Sequence, residues 1–233
     1  MSISRNLPAV LGVLLIIFLL FGCANGDTNG GADSGQNQQD ELKAANEELK
    51  KLLPEKEGFR WIYNGFAEYG HTMELERIQK QGSQTTYFVS GNVEDLSGGE
   101  STRDFSLEIE YVIKDGILAQ KKKEELMLDS ISNNIQLAKT PLEQGAQWKQ
   151  TVTTKDGDEL NLDCQITEVT EENRVKEYTI IYEDQNSDYF ERRKIREGTG
   201  VVSLEKMLKS GGESFVAGYY LYEEASGYRQ PES

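Results

Sequence analysis

Phe105-Ser-Leu107-Glu-Ile109-Glu-Tyr111-Val-Ile113 alternates between apolar and polar residues and runs directly into Lys114-Asp115-Gly116-Ile117. A period of two puts every second side chain on one face, which reads as a strand with one face buried. Asp-Gly placed between two such runs signals a tight hairpin, because both residues tolerate positive φ. The same pair recurs in Lys155-Asp156-Gly157-Asp158, while Gly98-Gly99, Gly211-Gly212 and Glu171-Glu172-Asn173 mark further loops. Between them lie strand candidates at Thr72 to Gln79, Thr85 to Val89, Leu160 to Thr167, Lys176 to Tyr182 and Ser214 to Tyr222. The expected fold is mainly β and antiparallel.

Upstream of Pro54 the period changes. Leu42, Ala45, Leu49, Leu52 and Leu53 recur at helical spacing, with Asp40 and Glu41 at the start, Lys50 and Lys51 at the end and Pro54 as a stop. This predicts one amphipathic helix over Asp40 to Leu53, its apolar stripe docked on the β body. From Ala24 to Gln39 no large apolar residue occurs, so residues 23–39 read as a flexible linker averaging roughly 20 to 25 Å end to end.

The first 22 residues have the layout of an export signal. Arg5 precedes an apolar run from Leu7 to Phe21 that is too short for a comfortable membrane span, and no basic stop-transfer cluster follows. Leu20-Phe21-Gly22-Cys23 resembles a bacterial lipobox. The resemblance implies cleavage between Gly22 and Cys23 and diacylglycerol on the Cys23 sulfur, with acyl chains such as palmitate. The folded part would then sit on the extracytoplasmic face of the cell membrane, since two acyl chains anchor stably where one does not.

The remaining chain divides into two similar stretches. Pro54-Glu-Lys-Glu-Gly58-Phe-Arg-Trp61 and Pro141-Leu-Glu-Gln-Gly145-Ala-Gln-Trp148 share P-x3-G-x2-W, each matched residue displaced by 87 positions. With two tryptophans and four prolines in the whole chain, this predicts two related β modules, 54–140 and 141–227, and a disordered tail over 228–233. Modules of this size are expected to share one core, as a sandwich or a curved half-barrel. Thr140-Pro141-Leu142 with Gly145 and Trp148, then Tyr189-Phe190 and Gly198-Thr-Gly200-Val-Val202, resembles the P-L-x-x-G-x-x-W and G-x-G-x-V landmarks of a loose set of uncharacterised β-rich bacterial secreted proteins and lipoproteins. That resemblance implies a fold class and a location, and carries no catalytic residues. The first stretch departs from it at Glu55 and has a single glycine at Gly116.

The whole chain carries −15 at pH 7. Removing residues 1–22, whose one charge is Arg5, leaves the mature chain near −16. Nucleic acid is excluded as a partner, because phosphate binding needs clustered cations and Lys121-Lys122-Lys123 is followed at once by Glu124-Glu125. Such a body is also repelled by anionic headgroups, so the membrane is engaged through the lipid on Cys23. With Cys23 acylated, Cys164 has no intrachain partner and its strand parity predicts a buried thiol.

No cofactor motif and no metal-binding pattern is present. Asp184-Gln-Asn186-Ser-Asp188 has alternating oxygen ligands but Tyr189 where a calcium loop turns on glycine, so it reads as a polar hairpin loop. His71 is the one histidine. In Ser214 to Tyr222 both parities are apolar: Phe215, Tyr219 and Leu221 on one, Val216, Tyr220 and Tyr222 on the other. That pattern fits a strand covered on both faces, and equally a groove in which Phe215, Tyr219, Tyr220 and Tyr222 meet an apolar ligand or a partner strand. The sequence therefore predicts a non-enzymatic, lipid-anchored envelope protein that binds a protein or polymer partner. A carrier of a lipid or other hydrophobic ligand comes second, and an envelope hydrolase using His71 or an acidic pair third.

Overall fold

The computed structural model describes residues 33–65, 70–127, 131–210 and 212–229. The first element is the helix α1, Asp33–Lys50. Next come β1 (Phe59–Gly65), β2 (His71–Gln81), β3 (Gln84–Val93), β4 (Ser106–Lys114), β5 (Ile117–Lys123) and β6 (Asn134–Lys139). A second run of six follows: β7 (Gln147–Thr153), β8 (Glu159–Glu172), β9 (Val175–Asp184), β10 (Phe190–Arg196), β11 (Gly200–Ser210) and β12 (Glu213–Leu221). A two-residue strand, β13 (Gly227–Tyr228), pairs with β1 at Phe59 and Arg60.

These strands form one antiparallel sheet in the order β6-β5-β4-β3-β2-β1-β12-β11-β10-β9-β8-β7. Each run of six is a meander, and β1 joins β12 through the pairs Tyr63–Leu221, Asn64–Tyr220 and Gly65–Tyr219. The sheet curls until its two ends nearly meet. Between β6 and β7 the Gln150 side chain takes the place of a strand: its Oε1 accepts the Gln136 N–H at 2.8 Å and its Nε2 donates to the Gln136 carbonyl at 3.0 Å. Tyr182 crosses behind this seam and donates its hydroxyl to the Leu137 carbonyl at 2.6 Å.

Alternation along the strands decides what the curl encloses. Leu107, Ile109, Tyr111 and Ile113 of β4 are buried, while Glu108 and Glu110 between them face outward to Lys123 and Lys121. On β10 Arg192 and Lys194 are likewise outside, bonded to Glu205 and Glu177. A charged outer face is the inverse of the apolar belt a lipid-embedded barrel needs. The curled sheet is therefore built to stand in water.

α1 starts seven residues before the expected Asp40, so Asp33 to Gln39 are helical rather than flexible linker, and it ends at Lys50 rather than Leu53. Once the amphipathic turns are nucleated by packing, each further residue adds one hydrogen bond at little cost, so the polar run extends the helix. The docked part is the C-terminal end. Leu49, Leu52 and Leu53 are buried against the core, whereas Leu42 is exposed. Asn46 fixes the docking: its Nδ2 donates to Ser83 O at 3.1 Å in the β2–β3 turn, and its Oδ1 accepts the Gly116 N–H at 2.9 Å in the β4–β5 turn. α1 thus closes the end of the barrel where these turns lie. A second correction concerns Tyr228, placed in the disordered tail by its sequence. It belongs to β13, packs edge-on against Phe59 at 5.1 Å and bonds Lys56 through its hydroxyl.

The two P-x3-G-x2-W motifs occupy matching places in the two meanders. Gly58 and Gly145 both have positive φ, 83° and 91°, and both donate their N–H at 2.8 Å to the second strand, at Leu75 and Ile166. Trp61 pairs with Met73 and Trp148 with Cys164, each two residues before that acceptor. A register shift then follows in both, between Leu75 and Arg77 and between Ile166 and Glu168. The Asp-Gly signals, by contrast, give different turns. Asp115 and Gly116 both take positive φ in a two-residue loop, whereas in the β7–β8 loop only Gly157 does.

Candidate functional site

Two places in the fold carry chemistry beyond packing, and they lie on opposite faces of the sheet. The first is on the outside of β12. Its odd positions Ala217, Tyr219 and Leu221 point inward and are buried; its even positions Val216 and Tyr220, with Tyr222 just past the strand end, point outward and are 55%, 61% and 41% exposed. Phe215 shares the inward parity but is 42% exposed. It lies opposite Leu208 of β11. The four candidate contact residues therefore divide. Phe215, Tyr220 and Tyr222 are exposed, Tyr220 and Tyr222 on the outer face and Phe215 on the inward parity, and Tyr219 is buried in the interior.

Tyr219 enters an aromatic group with Tyr63 and His71. The His71 ring stacks on Tyr63 at 4.4 Å and meets Tyr219 edge-on at 4.9 Å. The histidine is buried. Cys164 is buried as well, accepts a hydrogen bond from Gln150 Nε2 at 3.2 Å, and has its thiol pushed up to about 12 by burial, which keeps it protonated and unreactive. Asp184 to Asp188 forms the β9–β10 connection, with Ser187 N–H bonded to the Asp184 carbonyl. Among the described residues no three His, Cys, Asp or Glu side chains converge as a metal site would require.

The second place is the interior around Arg193, to which no sequence pattern pointed. Arg193 and Glu191 alternate inward along β10, are both fully buried, and form an ion pair through Arg193 Nε. Glu191 also accepts the Tyr189 hydroxyl at 2.6 Å, and Arg193 Nη1 donates to Gln120 Oε1 of β5 at 3.2 Å. The guanidinium sits 5.9 Å from the Tyr182 ring. Burial would by itself favour the neutral form of Arg193, but the Glu191 charge, the neighbouring Tyr219 and Tyr182 and the hydrogen bond to Glu191 together outweigh it and hold the guanidinium protonated. Two donors in this neighbourhood, Arg193 Nη2 and Trp148 Nε1, have no hydrogen-bond partner. Sequence could not single out Arg193, because Glu191-Arg192-Arg193-Lys194 places charge on both parities and period two then says nothing about which face is inside.

A second buried charge group closes the far end. Glu124 accepts the N–H groups of Leu126 and Met127, at 2.7 and 2.6 Å, and pairs with Lys122 at 3.4 Å and Lys155 at 2.7 Å. Desolvation raises its pKa, but the Lys122 charge and the bonds from Lys155 and Met127 outweigh this and leave the carboxyl below its ordinary range.

Gly22 and Cys23, the cleavage and lipidation residues, lie outside the described residues. No family model matches the chain, and no curated protein does. Two solved structures share its outline. One is a Bacteroides fragilis NCTC 9343 protein described as exported and of YmcC-like fold, 10% identical, with a TM-score of 0.41 over 72% of this chain and 96% of that one. The other is described as a lipoprotein from Parabacteroides distasonis ATCC 8503, 11% identical, with a TM-score of 0.36 over 73% of this chain and 96% of that one. At these scores the likeness carries no argument about what the chain does.

Proposed function

We propose that the chain is an exported protein anchored on the extracytoplasmic face of the cell membrane by lipid on Cys23, and that its body works by binding an envelope protein or polymer rather than by catalysis. The observation that carries the binding reading is the outer face of β12. Val216, Tyr220 and Tyr222 stand exposed on a surface whose neighbouring strands present charged pairs. Exposed apolar groups gathered in this way mark a contact surface more often than chance exposure does. Tyr and Phe are also residue types that supply binding energy at low entropic cost. The test is photo-crosslinking in intact cells from a reactive amino acid placed at Tyr220, with Lys149 as an exposed control on β7. One specific adduct from position 220 is expected; its absence, or the same adducts from both positions, would end the partner reading. Mass analysis of the matured chain is expected to show a diacylglyceryl group on Cys23.

A second reading, a carrier of a hydrophobic molecule, is favoured by a different observation. Arg193 Nη2 and Trp148 Nε1 are buried donors without acceptors inside a barrel-like sheet. Native mass spectrometry of the protein purified from its own membranes is expected to show a co-purified lipid if this reading holds.

A further inference from the structure

The carrier reading can be made specific, and the site assigned to it stands only if that reading does. Twelve strands curl around this interior. About eight strands already leave an interior that side chains just fill, so twelve leave more than one layer of side chains can occupy unless the section is pinched. Arg193 makes such a pinch. It reaches from β10 to Gln120 on β5, on the opposite wall, with four strands between them along the shorter way round. The interior beside the pinch is bounded by Tyr182, which has Trp148 on its edge at 6.4 Å and the Arg193 guanidinium at 5.9 Å.

Donors here are almost all committed. The Tyr63 hydroxyl goes to Val201 O, that of Tyr182 to Leu137 O and that of Tyr189 to Glu191. Arg193 uses Nε and Nη1, leaving Nη2, and Trp148 leaves Nε1. A buried N–H without an acceptor costs its full desolvation, so both call for an oxygen that the chain does not supply. The charge balance restricts what that oxygen belongs to. Glu191 already neutralises Arg193, so a carboxylate or phosphate would add an uncompensated buried charge, whereas a carbonyl adds none. The strand neighbours of Arg193 are apolar, Ile180 on β9 and Leu204 on β11, both fully buried. The β6–β7 seam is the part of the wall held by a side-chain amide rather than by a backbone ladder.

We propose that the interior beside Tyr182 binds an apolar molecule through a neutral carbonyl oxygen, the chemistry of a fatty acyl ester, with Arg193 Nη2 as its principal donor and Trp148 Nε1 as the second. The test uses the mature chain from Ala24 to Ser233, which keeps every described residue, titrated by fluorescence with the methyl ester of cis-parinaric acid and separately with the free acid. Saturable binding of the ester is expected, with the free acid roughly tenfold weaker. Glu191→Leu/Arg193→Met removes both charges together and is expected to weaken the ester by about tenfold or more. Trp148→Phe, which touches no charge, should weaken it about threefold and carries the test if the double variant does not fold. If the wild type binds neither probe, the carrier reading falls and this site with it. If it binds the ester and Trp148→Phe and the double variant bind it equally well, the carrier reading stands and the site is elsewhere. Tighter binding of the free acid overturns the neutral carbonyl.

Discussion

The two meanders follow one path in one register but bury different things at equivalent positions. Walking across the ladders from Leu75 and Ile166, the acceptors of the two glycine N–H groups, Val89 pairs with Ile109 and Ile109 with Lys122 in the first; Ile180 pairs with Arg193 and Arg193 with Leu204 in the second. The buried cation thus sits on the fifth strand of one meander and the fourth of the other. Each has its acid two residues away, Glu124 for Lys122 and Glu191 for Arg193. Two residues is the spacing that keeps side chains on one face of a strand. Position sets the use. Lys122 and Glu124 stand at the end of β5 and tie down the β5–β6 connection, whereas Arg193 and Glu191 stand inside and span the lumen. One meander places its buried charge pair at an end and the other in the middle.

The largest expected difference between the halves is at their fourth strands. Arg193→Met leaves Glu191 buried without its cation and should cost about 3–5 kcal/mol in urea unfolding, with much of the loss recovered when Glu191→Leu is added. Ile109→Val at the equivalent place should cost about 1 kcal/mol, the ordinary price of one methyl group. Equal losses would mean that Arg193 acts as packing rather than as half of a pair.

Acid should reveal the other charge group. Glu124 has its pKa lowered by folding, so its contribution is present above the unfolded carboxyl value near 4.5 and is lost as pH falls through the folded value. Glu124→Gln is expected to reduce stability by about 2 kcal/mol at pH 7 and to flatten the decline below about pH 4.5. An unchanged acid limb would remove Glu124 from the account.

The tryptophans give a finer contrast. Trp61 Nε1 donates to Thr199 O at 2.6 Å, while Trp148 Nε1 has no partner. Trp61→Phe orphans a carbonyl as well as losing volume and should cost about 2–3 kcal/mol, against about 1 kcal/mol for Trp148→Phe. The two seams differ in the same spirit. Gln150→Leu should speed amide exchange at Gln136 and cost about 1–2 kcal/mol, leaving the backbone-paired β1–β12 seam at Tyr63 unaffected. Smallest of all, Tyr220→Ser should change stability by less than about 0.5 kcal/mol while abolishing the adduct formed from a photoreactive amino acid placed instead at Val216.

Much of the strand pattern was legible because an antiparallel sheet with one wet face writes its period into the sequence. Thr72 to Gln79 falls inside β2, Lys176 to Tyr182 inside β9, and the Asp115-Gly116 hairpin forms at the expected residues. The candidate site was legible in part. On β12 the apolar residues of both parities were visible, but one parity is buried from Ala217 to Leu221 and the other exposed, because a strand's outer neighbours are not written in its own residues. The helix start was misplaced for a related reason: polar residues 33–39 carry no period of their own and take the conformation of the turn they extend.

Local pattern was enough to set the alternation, the turns, the matched glycines and tryptophans, and the amphipathic end of α1, all of which depend on contacts within a few residues or on a single face. It took the folded chain to show that twelve strands curl until Gln150 bridges their ends, that Arg193 meets Gln120 across the interior, and that two buried donors are left open there. Those facts depend on residues brought together from distant strands, and on the balance between desolvating a charge and pairing it, which no short stretch of sequence encodes.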